Sequence, residues 1–150
     1  MIATERGYSL IEVAGVLAIL GILAAIGLGR FGATQAFEAR GFSDQAAALV
    51  RYGQKLAIAR HGNVFVAQQV DRLQLCLSAG IPCPTGQGAP GPGGENPFEV
   101  MAPSDVLIAA TTANFSFDAN GRPTVATVLT FTDSGGATTL TVEAETGYVH

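Results

Sequence analysis

The sequence has little charge, no tryptophan and few cysteine or histidine residues. Charged residues make up 13% of the 150-residue chain, against about 25% in an ordinary soluble domain. Eight lysine and arginine residues face twelve aspartate and glutamate residues, and the resulting net charge of −4 disfavours a dedicated nucleic-acid binder. Two cysteines are too few for a disulfide scaffold or a four-cysteine zinc site.

The residues that carry catalysis are equally scarce. Only two histidines are present, and we find no recognisable nucleotide-binding loop, nucleophile–base pair or cluster of metal ligands. The sequence therefore predicts a protein that is not an enzyme and uses no cofactor or metal. Hydrophobic residues nevertheless reach 48%, which indicates that part of the apolar excess faces lipid.

That excess lies near the start of the chain. Val13–Gly29 is a run of seventeen residues without a charge, and the 22 residues of Tyr8–Gly29 contain one, Glu12. About twenty apolar residues span a bilayer as a helix, so residues 8–29 predict a single transmembrane helix. Arg6 favours a cytoplasmic front, with the rest of the chain outside. The alternatives are a buried core helix and a cleaved secretory signal, although no clear Ala-x-Ala site follows the run.

The residues around the start of this run form a recognisable pattern. The segment Gly7–Val13, with an aromatic residue at Tyr8 and an acidic residue at Glu12, resembles the class III signal of type IV prepilins and type II secretion pseudopilins. The resemblance implies that residues 1–7 are a leader, that a prepilin peptidase cleaves between Gly7 and Tyr8, and that Tyr8 becomes the N-methylated first residue. It also implies assembly with other pilins or pseudopilins on an inner-membrane platform.

Glu12 is unusual because a carboxylate costs about 2.5–3.5 kcal/mol at the centre of a bilayer. No basic residue lies within two helical turns of it in the processed chain, since the next one is Arg30. By resemblance, Glu12 pairs with the amino terminus of a neighbouring subunit and sets its register in the filament. Two alternatives remain open: a pair with its own amino terminus, and a carboxylate solvated among lipid headgroups.

The helix is predicted to continue as an amphipathic segment over residues 30–61. Its apolar stripe recurs at spacings of three and four residues, which is typical of a helix that packs on a core; it comprises Phe42, Ala46, Leu49, Gly53 and Leu56. An unbroken helix from Tyr8 to Arg60 would be about 80 Å long. Residues 62–150 are then a β-rich head, so the fold class is α+β: a long N-terminal helix packed on antiparallel strands.

Alternating apolar residues predict the strands of the head. A hairpin around Asp71 and Arg72 comes first, and eleven of the eighteen residues in the following segment 80–97 are glycine or proline, which indicates a loop. The remaining strands are predicted at Val106–Ala110, Asn114–Phe117, Thr124–Thr132, Ala137–Val142 and Thr146–Val149. Asn120-Gly121 is a strong hairpin signal between two of them.

This arrangement resembles the FimT/GspH branch of the superfamily. The helical segment Arg51–Ala59, followed by Cys76 and Cys83, is most similar to the MshC-like minor pilins of MSHA-type pili. The resemblance implies a minor pilin of a type IV pilus, acting in biogenesis or in a tip or initiation complex. A GspH-like pseudopilin of a type II secretion system, and a module at the pilus tip that binds DNA or a surface, are the alternatives.

Two further features concern the head. Cys76 and Cys83 would form a disulfide in an oxidising periplasm; two free buried thiols, or a metal site with His61, are the alternatives. Arg51, Lys55 and Arg60, with Arg72 as a further candidate, form a basic edge that suggests DNA capture, but a solvated helix face is favoured. No lysine or arginine follows Arg122, and this absence also argues against a nucleic-acid partner.

Overall fold

The computed structural model describes residues 9–28 and 31–150, with side chains for residues 9–25 and 38–150. The chain divides into two compact units, the second of which begins at Gln35. The first unit contains helix α1, Leu10–Leu28. The predicted continuity of the helix falls on Gly29 and Arg30, which lie outside the described residues.

Helix α2 spans Phe31–Arg60, and from Gln35 onward it belongs to the second unit. The predicted stripe is confirmed, because Phe42, Ala46, Leu49 and Gly53 are buried and Leu56 is half-buried. The helix ends in a Schellman motif. His61 adopts a left-handed φ of 51°, its N–H bonds Ile58 O, and the Gly62 N–H bonds Ala57 O.

Seven strands follow and form two antiparallel sheets. The first sheet has the order β3-β2-β1-β5 and the second has the order β4-β6-β7. The strands are β1 Val64–Gln68, β2 Arg72–Cys76, β3 Glu99–Met101, β4 Leu107–Ala110, β5 Asn114–Phe117, β6 Thr127–Asp133 and β7 Gly136–Val142.

Most of the predicted strands are confirmed, and one is wrong. The β1–β2 hairpin pairs Gln68 with Leu73 around the predicted turn, and four later strands lie at or near their predicted positions. Thr146–Val149 is not a strand: it contributes only the bridge between Val142 and Val149. The reason is a turn that extends into the segment, in which Gly147 takes φ 64° and its N–H bonds Glu143 O.

The core lies between α2 and the inner faces of the two sheets. Its largest members, Phe115, Phe117 and Phe131, are almost completely buried. Phe42 of α2 meets Phe131 edge to face, with ring centroids 5.2 Å apart, a preferred geometry for aromatic pairs. This unit therefore has an apolar core made from its own residues.

Candidate assembly helix and head surfaces

Gly7 and Tyr8, the residues of the predicted cleavage and methylation site, lie outside the described residues. Glu12 lies in the first turn of α1, where the Glu12 and Val13 N–H groups both bond Ser9 O. Ser9 and Glu12 have the spacing of a capping box, in which a serine and a glutamate serve the free N–H groups at a helix start. A carboxylate there also interacts favourably with the helix dipole. The position of Glu12 thus has a local physical reason in addition to the predicted intersubunit pair.

The large apolar side chains of α1 are exposed from Leu10 to Leu23. Leu10 and Ile11 are 87% and 80% exposed, and even the least exposed of the large apolar side chains up to Leu23 is 48% exposed. Within the described residues, no helix combines the length and hydropathy required of a membrane span. A contiguous apolar surface of this extent is rare on a soluble monomer and marks a contact site.

Cys76 and Cys83 form a disulfide, with Cα atoms 5.5 Å apart. Cys76 is fully buried at the end of β2, and Cys83 is half-buried in the loop that follows. Neither cysteine is a free thiol. Among the residues with described positions, no group of three or more potential ligands could hold a metal.

The rest of the glycine- and proline-rich loop is pinned to the first sheet by main-chain bonds. Leu77 N donates to Gln87 O at 2.7 Å, and Ala89 N donates to Leu75 O at 2.8 Å. The Phe98 N–H then bonds Ala89 O at 2.8 Å. A segment with little regular structure is thereby fixed at both ends, and the disulfide ties its first half to β2.

The four residues of the predicted basic edge have different surroundings in the structure. Arg51, Lys55 and Arg60 are all exposed on α2, but Arg51 Nη2 donates to Val149 O at 2.9 Å, so part of that guanidinium holds the C-terminal segment. Arg72 does not join the edge as a free cation, because it pairs with Asp71 at 2.8 Å and Glu99 at 3.6 Å. The Arg72 hydrogen bond lowers the pKa of Asp71.

Gln54 joins two distant segments to α2. Its Nε2 donates to Gly121 O at 2.8 Å and to Thr146 O at 3.1 Å. Gly121 and Gly147 both have positive φ, and a Cβ on Gly147 would lie 2.5 Å from Gln54 Nε2, so this approach requires glycine. Sequence reasoning missed this contact, although it singled out both the helical segment and the ending Thr146–Val149.

The turn that presents Gly121 is held by Asp118. Its Oδ1 accepts bonds from the Asn120 N–H at 2.8 Å and the Arg122 N–H at 2.9 Å. The bond from the Arg122 main chain is the main reason that the pKa of Asp118 lies below its usual value. The turn predicted at Asn120-Gly121 is therefore confirmed, and the Asp118 side chain stabilises it. The hairpin that it predicted is wrong, because β5 and β6 belong to different sheets.

Comparison with known proteins gives one sequence match and one shared fold. Residues 2–28 match the family described as the prokaryotic N-terminal methylation motif. No curated protein matches the chain in sequence.

Three solved structures from two bacteria share the fold. The type IV minor pilin FimU of Pseudomonas aeruginosa PAO1 is 12% identical with a TM-score of 0.59, covering 77% of this chain and 88% of FimU. A second crystal form of FimU, also 12% identical, has a TM-score of 0.56, and the alignment covers 74% of this chain and 90% of FimU. The minor pseudopilin EpsH from the type 2 secretion system of Vibrio cholerae is 13% identical with a TM-score of 0.59. The alignment covers 75% of this chain and 94% of EpsH. At such identities the likeness shows the fold alone, and the family match concerns residues 2–28.

The contacts of Gln54 predict that Gln54→Ala lowers the free energy of unfolding by about 1–3 kcal/mol, because two carbonyls lose their donor. Urea denaturation of the full chain in detergent measures the change. Gln45→Ala is the matched control, since Gln45 is exposed on the same helix and its loss should change the value by less than about 0.5 kcal/mol. Equal effects of the two substitutions would contradict the role assigned to Gln54.

Proposed function

We propose that this chain is a minor pilin, made as a precursor and assembled into a type IV pilus through its N-terminal helix. The carrying observation is the combination of the methylation motif over residues 2–28 with an exposed apolar α1 surface that no described residue of the first unit covers. An apolar helix of this kind must be buried in lipid or against other helices. Successive burial in the membrane and in a filament satisfies that requirement.

Processing follows from the motif. A prepilin peptidase removes residues 1–7 by cleaving between Gly7 and Tyr8, and Tyr8 is then N-methylated. Residues 8–29 anchor the processed chain in the inner membrane as a single span, with the head in the periplasm. The Cys76–Cys83 disulfide supports this location, because disulfides persist in oxidising compartments.

Assembly places Glu12 against a positive partner. The amino terminus of a neighbouring subunit, created by cleavage, is the partner that we propose, and the inner-membrane platform supplies the subunits. The capping-box position favours Glu12 at the start of the helix even without a neighbour. A functional test must therefore separate these two roles.

The choice between a pilus and a secretion system rests on the head. FimU and EpsH share the fold with equal TM-scores, so the fold does not favour one machine. The segment Arg51–Ala59 and the cysteine pair support an MSHA-like minor pilin, and a GspH-like pseudopilin is the alternative. We propose no enzymatic activity and no cofactor for either.

A DNA- or surface-binding module at the pilus tip is the second candidate. The exposed cations of Lys55 and Arg60 favour it. The net charge of −4 and the use of Arg51 to hold Val149 weigh against it. Nucleic-acid binding depends on phosphate neutralisation by several cations, which makes the structural role the stronger proposal.

The cleavage site predicts that Gly7→Leu leaves unprocessed precursor in the membrane, because the peptidase must accommodate the residue at this position. Intact mass spectrometry distinguishes the precursor from a chain that begins at methylated Tyr8. Thr4→Leu, also in the leader, should be processed normally. A Gly7→Leu chain with the normal mature mass would refute the cleavage assignment.

Replacement of Glu12 is expected to affect assembly rather than processing. Glu12→Ala should insert into the membrane normally but enter sheared filaments about tenfold less, the effect expected if the lost pair stabilises assembly by about 1.4 kcal/mol. Ser9→Ala is the control, because it weakens the helix cap and leaves the carboxylate in place. If both substitutions lower incorporation equally, capping rather than an intersubunit pair explains Glu12.

A further inference from the structure

The first sheet has an open edge at β3. Phe98 O accepts from the Leu75 N–H and the Ala102 N–H donates to Asp71 O, so these two residues face β2. Because residues of an antiparallel strand alternate in direction, the main-chain N–H and C=O groups of Glu99 and Met101 point away from the sheet. No bond to these outward groups is recorded among the described residues.

The chain covers its other sheet edges. Beside β5, Thr124 N donates to Ser116 O at 2.8 Å. Beside β7, the Thr141 N–H bonds His150 O at 2.7 Å. At β4, Gln68 Nε2 donates to Ile108 O at 3.0 Å. An uncovered edge is a template for another strand, which proteins usually block. Among the residues that the structure describes, none bonds the outer edge of β3 in this way.

A furrow separates this edge from α2. One part is a cavity of about 380 Å³, in which Gly41 and Gln45 of the helix face Met101 and Pro103. A second part of about 400 Å³ lies farther along the helix, between Ala48, Tyr52 and Lys55 on one side and Pro92 and Phe98 on the other. From Glu38 to Lys55 this flank of α2 is about 26 Å long.

We infer that the β3 edge and the furrow bind an extended segment of another protein chain, which adds a strand to the first sheet. Main-chain bonds at an open edge hold such a segment, and alternate side chains enter the adjoining furrow. The helix leaves room for them, because its furrow side carries exposed Gly41 and Ala48. A Cβ on Gly41 would meet no atom within 4 Å.

The charges along the furrow define the segment further. Lys55 lies at the end near Phe98, and Glu38 lies at the end near Pro103. The bound segment therefore carries a carboxylate beside Lys55, with small or β-branched side chains in the middle. Tyr52 is fixed at the wall by its hydroxyl bond to Pro90 O at 3.1 Å and by edge-to-face contact with Phe98. This inference concerns the head alone and does not depend on filament assembly.

Site-specific photocrosslinking tests the inference in cells that make the full-length protein. A photoreactive phenylalanine replaces Gln45 in the furrow, and Val125, exposed on the head, carries the same group as a control. We expect a protein adduct from position 45 alone, mapped by mass spectrometry to an extended segment of the partner. A nuclease-sensitive adduct, an adduct to a helix, or equal yields from both positions would overturn the inference.

Substitutions at the edge then separate main-chain from side-chain binding. Met101→Pro removes an outward main-chain N–H and is compatible with an edge strand, whereas Met101→Ala keeps that N–H. We expect Met101→Pro to reduce the yield of the adduct at least tenfold and Met101→Ala to reduce it less than twofold. Gly41→Leu fills the furrow on an exposed helix face and replaces Met101→Pro as the test if the proline variant does not fold.

Lys55→Glu tests the charge of the segment and should lower the yield of the adduct several-fold, with Arg60→Glu as its control. Retention of the adduct in Gly41→Leu, or in a folded Met101→Pro, would contradict the added strand.

Discussion

The structure depends on one constraint: the large apolar side chains of α1 from Leu10 to Leu23 are exposed, and no described residue of their unit covers them. Leu17, Ile19, Ile22 and Leu23 are each at least 60% exposed, and water in contact with so much apolar surface is unfavourable at about 25 cal/mol per Å². The cover must come from lipid or from other chains. In the function that we propose, the membrane and then the filament provide that cover.

The head meets the opposite requirement, since its large apolar side chains are covered by residues of the same unit. Its core is closed by α2 and two sheets, and Phe42, Phe115, Phe117 and Phe131 lie within it. Gln54 and Arg51 bind the C-terminal segment to the same helix, and the disulfide fixes the loop after β2. The helix thus serves as a scaffold on one flank, while the other borders the open β3 edge.

Local sequence patterns predicted the elements whose signal lies within a few residues. The stripe from Phe42 to Leu56 required only helical periodicity, and the β1–β2 hairpin required only alternation around a turn. The three-residue strand β3 was missed because its pairing with β2 spans a loop of more than twenty residues and leaves no periodic signal. The same applies to Gln54, whose partners lie 67 and 92 residues away, and to Thr146–Val149, where Gly147 turns a strand-like sequence into a turn.

Extraction of the mature full-length chain from membranes tests the central claim most directly. The account predicts that carbonate and high salt leave the chain in the membrane pellet, and that only detergent releases it or shearing recovers it in filaments. A detergent-free, monomeric and water-soluble chain that still carries Leu10–Leu28 would contradict it.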